Sequence, residues 1–418
     1  MPQPKINPFI QQLRHRCDNE GGLFWLDEEQ KKLAAFDPVI AKQINADNFA
    51  DLTLPDRLKD QLKGQKSCPF SWGEIKDAWF KQMHTHSQPD QLEQLTTGMT
   101  ELIDARLNQP LDLVLAAQDI FSQALLPTMI ANLPDRQFKR IQTDQRLKIK
   151  PFTIENPPEP SLFAAIHSTI VQIRAASVVR RELNFRAKGK RPRQQDILDP
   201  IVDMLPRLGI DRAVDTVTMI LTAIGGPPGA AASCLLYELC LRPHWKQTLS
   251  EELGNIALHE LLKAPTKVAP ITWRFIKEIL RMWSPPIIAS RQVRTDINFQ
   301  IKTQQHQLAE GQLYLLSPYM IHHDPQHWPD PDTFDPDRWL PDSDKAAKTR
   351  GSYIPFGWAP KTCIGQTLGT YQLIILSWLM CTKYDITLDD PTNVGMTLAA
   401  MPLPLNFSGV ISNKKSRT

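Results

Sequence analysis

The stretch from Asp211 to Leu241 is long, almost wholly apolar, and interrupted near its middle by Pro227-Pro228. Its length and composition predict a helix with no face for water, and such a helix must be buried. A chain that buries it needs a large helical body around it. At 418 residues this chain exceeds the usual domain size, yet a single large domain fits. Apolar residues make up 42% and charged residues 22%, ordinary values for a globular enzyme. The formal net charge of +3 is too small to imply a nucleic-acid partner. Cysteines at 17, 68, 234, 240, 363 and 381 form no CxxC pair and no metal-finger spacing. That usage argues against a disulfide framework and for a reducing cytoplasm. Met1 to Arg16 is polar and proline-containing, unlike a signal peptide or a membrane span. The expectation is one soluble, cytoplasmic domain over residues 1–418, with no membrane span.

A second stretch carries the chemistry. Phe356-Gly357-Trp358-Ala359-Pro360-Lys361-Thr362-Cys363-Ile364-Gly365 is a tight loop with one cysteine. The mostly apolar Gln366 to Met380 follows and predicts a buried helix. Cys363 thus lies just before a helix N-terminus, where the dipole and free amides favour an anion. That placement predicts a lowered thiol pKa and suits a thiolate metal ligand. Lys361 adds positive charge nearby.

This loop resembles that of the cytochrome P-450 superfamily, F-x-x-G-x-[R/H]-x-C-x-G. The chain keeps Phe356, Cys363 and Gly365, with Ala359 for the usual Gly and Lys361 for the usual Arg or His. Its companions stand in the family's order: Glu278-Ile279-Leu280-Arg281, Pro285-Pro286, Arg291, then Phe334-Asp335-Pro336-Asp337-Arg338-Trp339, then Cys363. The resemblance runs from about Phe24 to Thr387. It implies a mainly α fold, one α-rich domain with small β-sheets around a buried haem b. Cys363 would be both catalytic residue and metal ligand, the thiolate that holds the iron. Cofactor contacts would come from Phe356, Lys361, Gly365, Arg291, Trp72, Lys76 and Ala223, with Arg291 and the cations at 361 and 76 neutralising the propionates. Glu278 and Arg281 would lock Arg338 in a buried charge network behind the loop. His322 or His323 would either reach a propionate or act only as turn residues. The implied partners are a small organic substrate and a ferredoxin- or flavodoxin-type electron donor, on a bacterial-type monomer.

Elsewhere the chain gives elements rather than chemistry. Leu23 to Leu26 and Leu33 to Phe36 read as paired strands, and Asp37-Pro38 opens a helix. Helices are expected over Trp72 to Met83, Gln91 to Leu107, Leu111 to Leu133, Asp135 to Ile149 and Ser161 to Phe185. His84 and His86 read as solvated loop residues. The basic run Arg180 to Arg193 also reads as a solvated loop, since it lacks interleaved aromatics.

The family's central helix usually carries [A/G]-G-x-[D/E]-T, whose acid and alcohol deliver protons. Counting back from Pro243 places Ala223-Ile224-Gly225-Gly226-Pro227 on that motif. Gly226 then stands for the acid and Pro227 for the alcohol, at two positions where the family does catalytic work. Pro227-Pro228 also removes two backbone donors and predicts a kink. Three functions follow from the resemblance: an electron-fed monooxygenase or coupling enzyme, a haem-thiolate enzyme that uses or rearranges peroxides, and a haem sensor without turnover.

Overall fold

The computed structural model describes residues 4–53, 72–149, 161–301, 303–358 and 362–414. Helices dominate it. The first are α1 (Pro8–Glu20) and α2 (Pro38–Lys42), the latter capped by the Asp37 carboxylate on the amides of Val39 and Ile40, both 2.9 Å away. Next come α3 (Trp72–His86), α4 (Pro89–Asp104), α5 (Leu113–Met129), α6 (Asp135–Ile149) and α7 (Leu162–Ala187). The centre holds α8 (Leu198–Gly225) and α9 (Pro227–Leu241). After them run α10 (Pro243–Gly254), α11 (Leu258–Lys263), α12 (Pro265–Val268), α13 (Pro270–Met282), α14 (Pro318–His322) and α15 (Gln366–Thr382).

Strands form small sheets at the edge of this body. The largest has the order β2-β3-β9-β6-β4, from β2 (Leu23–Trp25), β3 (Lys32–Ala35), β4 (Leu52–Thr53), β6 (Ala289–Val293) and β9 (Leu313–Leu316). In it β2 and β3 pair as the sequence reading expects, with Leu23 opposite Ala35, and Arg291 pairs with Tyr314. A hairpin joins β7 (Ile297–Ile301) to β8 (Gln304–Leu308). Two three-stranded sheets take β1 (Lys5–Ile6) with β11 (Gly395–Leu398) and β12 (Pro402–Leu405), and β5 (Pro110–Asp112) with β10 (Tyr384–Leu388) and β13 (Ser408–Asn413).

The central apolar stretch is buried as expected, but as two helices. Gly226 ends α8 and begins α9 at φ −97° and ψ −79°. Two successive prolines cannot continue the hydrogen-bond ladder, so the chain restarts with Pro227 at the first position of the new helix. A second bend lies at Gly209, whose φ of +70° few other residues adopt. Past the break, α9 runs through the core against α5, α13 and α15. One apolar cluster joins these helices to the sheets.

Two sequence expectations change here. The basic run is a solvated loop only in its second half, from Lys188 to Arg193. Its first half continues α7, and Arg186 is buried with Asp196 and Asp199, its Nη2 donating to Asp196 at 2.7 Å. Acidic residues downstream in sequence supply counter-charges that no local pattern reveals. Two described helical stretches are also long and apolar enough to cross a membrane, where the sequence reading expects none. These are Leu162–Ala187, 22% of its apolar window buried, and Leu198–Leu241, 72% buried. The second is core. The first exposes Leu162, Phe163, Ile166, Ile170 and Ile173.

The tie behind the central helices is a charge network that contains no water-facing member. Glu278 and Arg281 of α13 and Arg338 are all essentially inaccessible. Glu278 Oε1 accepts from Arg281 Nη2 at 2.8 Å, Arg338 Nε at 3.1 Å and the Asp335 amide at 2.9 Å. Its Oε2 accepts from Arg281 Nε at 2.9 Å and Trp339 Nε1 at 3.1 Å. The remaining guanidinium protons go to backbone carbonyls of Pro329, Asp330, Pro331, Thr333, Lys345 and His322. Saturation of this kind is what makes buried charge tolerable, and loss of one partner leaves the others stranded. Glu278→Gln is therefore expected to cost about 3–5 kcal/mol of folding free energy, measured by urea unfolding.

Candidate functional site

The cysteine loop is built from the charge network outward. Arg281 Nη1 donates to the His322 carbonyl at 2.9 Å and so holds the end of α14. The His322 ring is fully buried. Its Nε2 accepts the Ile354 amide at 2.8 Å, so its proton sits on Nδ1, toward the Arg281 carbonyl (3.1 Å) and Ser284 Oγ (2.9 Å). Ile354 opens the loop. Gly357 turns it at φ +80°, and Trp358 Nε1 anchors it on the Gly351 carbonyl at 2.8 Å. The Cys363 amide then donates back to the Phe356 carbonyl at 2.8 Å, which closes the loop around the sulfur. Gly365 caps α15, its backbone N–H bonds the thiol, and a Cβ there would lie 3.9 Å from Sγ.

The thiol itself departs from expectation. Burial raises its pKa first, and the Gly365 amide and the Lys76 charge lower it. The net shift is upward, not downward. The Cys363 side chain is accessible at its surface yet densely flanked by protein, so desolvation outweighs the helix N-terminus. A bound cation reverses this balance, because a coordinated thiol loses its proton outright.

The other expected residues distribute unevenly. Lys76 is buried on α3 and its Nζ donates to the Thr362 carbonyl, directly beside Cys363. Phe356 is half-buried against the core. Lys361 and the side chain of Trp72 lie outside the described residues. Arg291 lies on β6, and the one hydrogen bond given for its guanidinium goes to the neighbouring Ser290 carbonyl at 2.8 Å. Its pKa is lowered, by desolvation first. A cation with that surrounding fits a carboxylate ligand such as a haem propionate. Ala223 is exposed near the end of α8, beside the exposed Thr222. Gly226 and Pro227 form the helix break. A Cβ on Gly226 would meet the Thr222 carbonyl at 3.6 Å and Met401 Cε at 3.7 Å, ordinary contact. Steric crowding at Cβ does not explain the absence of an acid there. Among the described residues, no hydrogen bond joins Arg291 or Ala223 to the loop.

The histidines correct the sequence reading. His84 and His86 lie in the last turn of α3, not on a loop, and His86 is buried with its pKa lowered by desolvation. His322 and His323 belong to α14 and its cap rather than to an open turn, and His322 is the brace just described. Its partners, Ser284 and Ile354, are far away in sequence and carry no motif. Sequence reasoning also missed a polar group on α6. Lys148 Nζ bonds Asp144 Oδ2 at 2.6 Å and reaches Thr222 Oγ1 of α8 at 3.2 Å. The only trace of it in sequence is an acid and a base four apart.

One cysteine on a loop that leads into a buried helix, with a desolvated arginine on a sheet strand, is a donor set that fits haem iron better than a zinc or calcium site. Among the described residues no group of three His, Cys, Asp or Glu side chains could hold a bare metal ion. The cytochrome P450 family model matches residues 180–407, more than half of the chain. The chain belongs to the cytochrome P450 family. It is 30% identical over 178 residues to human (Homo sapiens) cytochrome P450 4A11, covering 41% of this chain and 32% of that protein. It is 32% identical over 175 residues to cyclooctatin synthase of Streptomyces melanosporofaciens, covering 42% and 34%. The matched stretch thus spans about a third of the length of these curated relatives. The crystal structure of the cytochrome P450DA heme domain superposes at a TM-score of 0.70 with 15% identity, over 98% of this chain and 93% of that one. The P450 fold therefore extends over nearly the whole chain, beyond the region where sequence alone is similar.

Two outcomes test the site. Arg291→Met is expected to weaken haem retention about tenfold or more, a 1.4 kcal/mol change, as measured by transfer of haem to apomyoglobin. The melting temperature of the apoprotein should hold or rise, since a lone buried charge is removed. The second concerns pH. His322 is pushed down to about 3 by burial and the Arg281 charge, and His323 well below its usual value. The folded state therefore holds both rings neutral while the unfolded chain takes up protons. Stability is full above about pH 6.5 and falls as pH drops from there toward 3, by up to about 1.4 kcal/mol per pH unit for each ring. His322→Gln should flatten the slope in urea unfolding measured from pH 7 to 5.

Proposed function

We propose that this chain is a haem-thiolate oxidoreductase that acts on a small organic substrate, as a monooxygenase or an oxidative coupling enzyme fed by a redox partner. The observation that carries this reading is the closed Cys363 loop, with the Gly365 amide on the sulfur and Lys76 beside it. Cys363 would hold the iron of haem b, and Arg291 a propionate. The bound haem supplies dioxygen chemistry: in a monooxygenase one oxygen atom enters a substrate C–H bond and the other leaves as water, with two electrons and two protons consumed.

The residues of the chain do the rest. The Gly365 N–H and the Lys76 charge stabilise negative charge on sulfur and set how strongly it donates. His322 and the Glu278 network fix the loop against movement, so the sulfur stays in register. Ala223, exposed at the end of α8, presents a small apolar side chain where a substrate needs room. The apolar central helices exclude water. An ultra-long-chain fatty acid omega-hydroxylase of Homo sapiens is among the proteins similar to this chain. That similarity supports an apolar substrate. We further read the chain as a cytoplasmic monomer that takes electrons from a ferredoxin- or flavodoxin-type donor.

One observation favours a second reading. Gly226 and Pro227 offer neither acid nor alcohol at the helix break, and peroxide needs no such pair because it already carries two electrons and an O–O bond. A single panel of apolar substrates separates the two. The haem-loaded protein is given either reductant, redox partners and oxygen, or hydrogen peroxide and organic hydroperoxides. Products confined to the first condition are expected. Products confined to the second would establish the peroxide reading, and in that case the double substitution Gly226→Glu, Pro227→Thr should not raise reductant-fed turnover.

A further inference from the structure

The break in the central helix is surrounded by polar groups from two other helices. On α6, Asp144 is buried. Its Oδ2 accepts from Lys148 Nζ at 2.6 Å, while Oδ1 is buried without a hydrogen-bond partner among the described residues. The next residue, Gln145, is buried too. Its Nε2 donates to the Leu221 carbonyl at 2.8 Å, and its Oε1 has no partner among the described residues. Gln118 of α5 is buried with Nε2 in the same condition. Gln145 and Gln118 meet the central helix at glycines, where it has no side chains of its own. A Cβ on Gly225 would lie 3.3 Å from Gln145, and one on Gly229 would lie 2.8 Å from Gln118 Cα. Glycine is thus needed at 229 for the approach of α5, and at 225 it leaves Gln145 room.

The break adds acceptors. Pro227 and Pro228 have no N–H, so the carbonyls of Ala223 and Ile224 lose their helical donors. Asp144 Oδ1, Gln145 Oε1 and these two carbonyls are acceptors, and Gln118 Nε2 is a donor. Buried polar atoms of this kind are satisfied by ordered water. Thr222 lies at the edge of the group: its hydroxyl donates to the Thr218 carbonyl at 2.9 Å and lies 3.2 Å from Lys148 Nζ. Lys148 is partly solvent-exposed, at 24% of its side chain, whereas Asp144 has 6%. The group therefore runs from solvent to the helix break.

We propose that Asp144, Gln145, Gln118 and Lys148 hold a file of ordered water against the Gly225–Pro228 break, and that this water carries the protons that an acid and an alcohol on the central helix would otherwise supply. The inference rests on the electron-fed reading above. Asp144 and the two glutamines are positioning residues that fix the water. Lys148 connects it to solvent, and Thr222 orients the Lys148 ammonium. Each turnover draws two protons from the file. Solvent replaces both through Lys148, so the group ends as it began.

The test uses the haem-loaded wild type with Asp144→Asn, Asp144→Glu and Lys148→Met. Lys148→Met changes a partly exposed side chain and keeps the variant set informative if Asp144→Asn does not fold. A high-resolution crystal structure of the wild type is expected to show water within hydrogen-bond distance of Asp144 Oδ1 and Gln145 Oε1. In reductant-fed turnover, product formed per electron is expected to fall about tenfold or more in Asp144→Asn and Lys148→Met. Hydrogen peroxide release and the solvent deuterium isotope effect should rise together, and Asp144→Glu should recover part of the loss. A merely structural role would lower the melting temperature without moving the isotope effect. A wild type without water at Asp144, or variants with unaltered product per electron and isotope effect, overturns this inference alone. A wild type that turns over only with peroxide also overturns it. A wild type that forms no product under either feed overturns the enzymatic reading together with it.

Discussion

The carboxylate of Glu278, shared between two buried guanidiniums, is the constraint on which the rest of the structure depends. Charges this deep are stable only when every proton and lone pair is matched. Arg281 and Arg338 meet that demand by taking backbone carbonyls from 322 to 345. Each such bond pins a piece of chain that has little regular secondary structure of its own. The network thereby converts a turn-rich segment into a rigid support. His322 passes that rigidity on to Ile354, and the Phe356 carbonyl passes it to Cys363.

The position of the thiol follows from this support, and its acidity does not favour the free thiolate. Desolvation raises the Cys363 pKa above the ordinary value despite the Gly365 amide and Lys76. The two favourable contacts are therefore better understood as tuning a sulfur already bound to a cation than as ionising a free one. Arg291 shows the same logic on the opposite charge. Its guanidinium is desolvated, with its own strand's carbonyl as its hydrogen-bond partner. Both residues have chemistry that a haem-sized dianionic ligand with an iron centre completes.

The central helix is physically broken at Gly226-Pro227, where the sequence reading places the family's acid and alcohol. Two prolines end one helix and start another, and Gly225 and Gly229 admit side chains from α6 and α5 to the exposed backbone. Polar groups are thus present in this region, on the neighbouring helices α5 and α6.

Much of this was legible in the residues themselves. The apolar central stretch and the two strands that begin at Leu23 and near Leu33 depend on local pattern, and they appear where expected. So does the proline break, because a missing N–H is a covalent fact that no environment restores. Tertiary structure decided what depends on distance. Arg186 is a core residue because Asp196 and Asp199 fold back on it, and His86 is buried because α3 runs one turn longer than its pattern suggests. The sign of the Cys363 shift depends on how much protein surrounds the sulfur, and the company of Thr222 depends on how α6 crosses α8. Desolvation and hydrogen bonding between remote segments act through space, and a sequence determines them only through the whole fold.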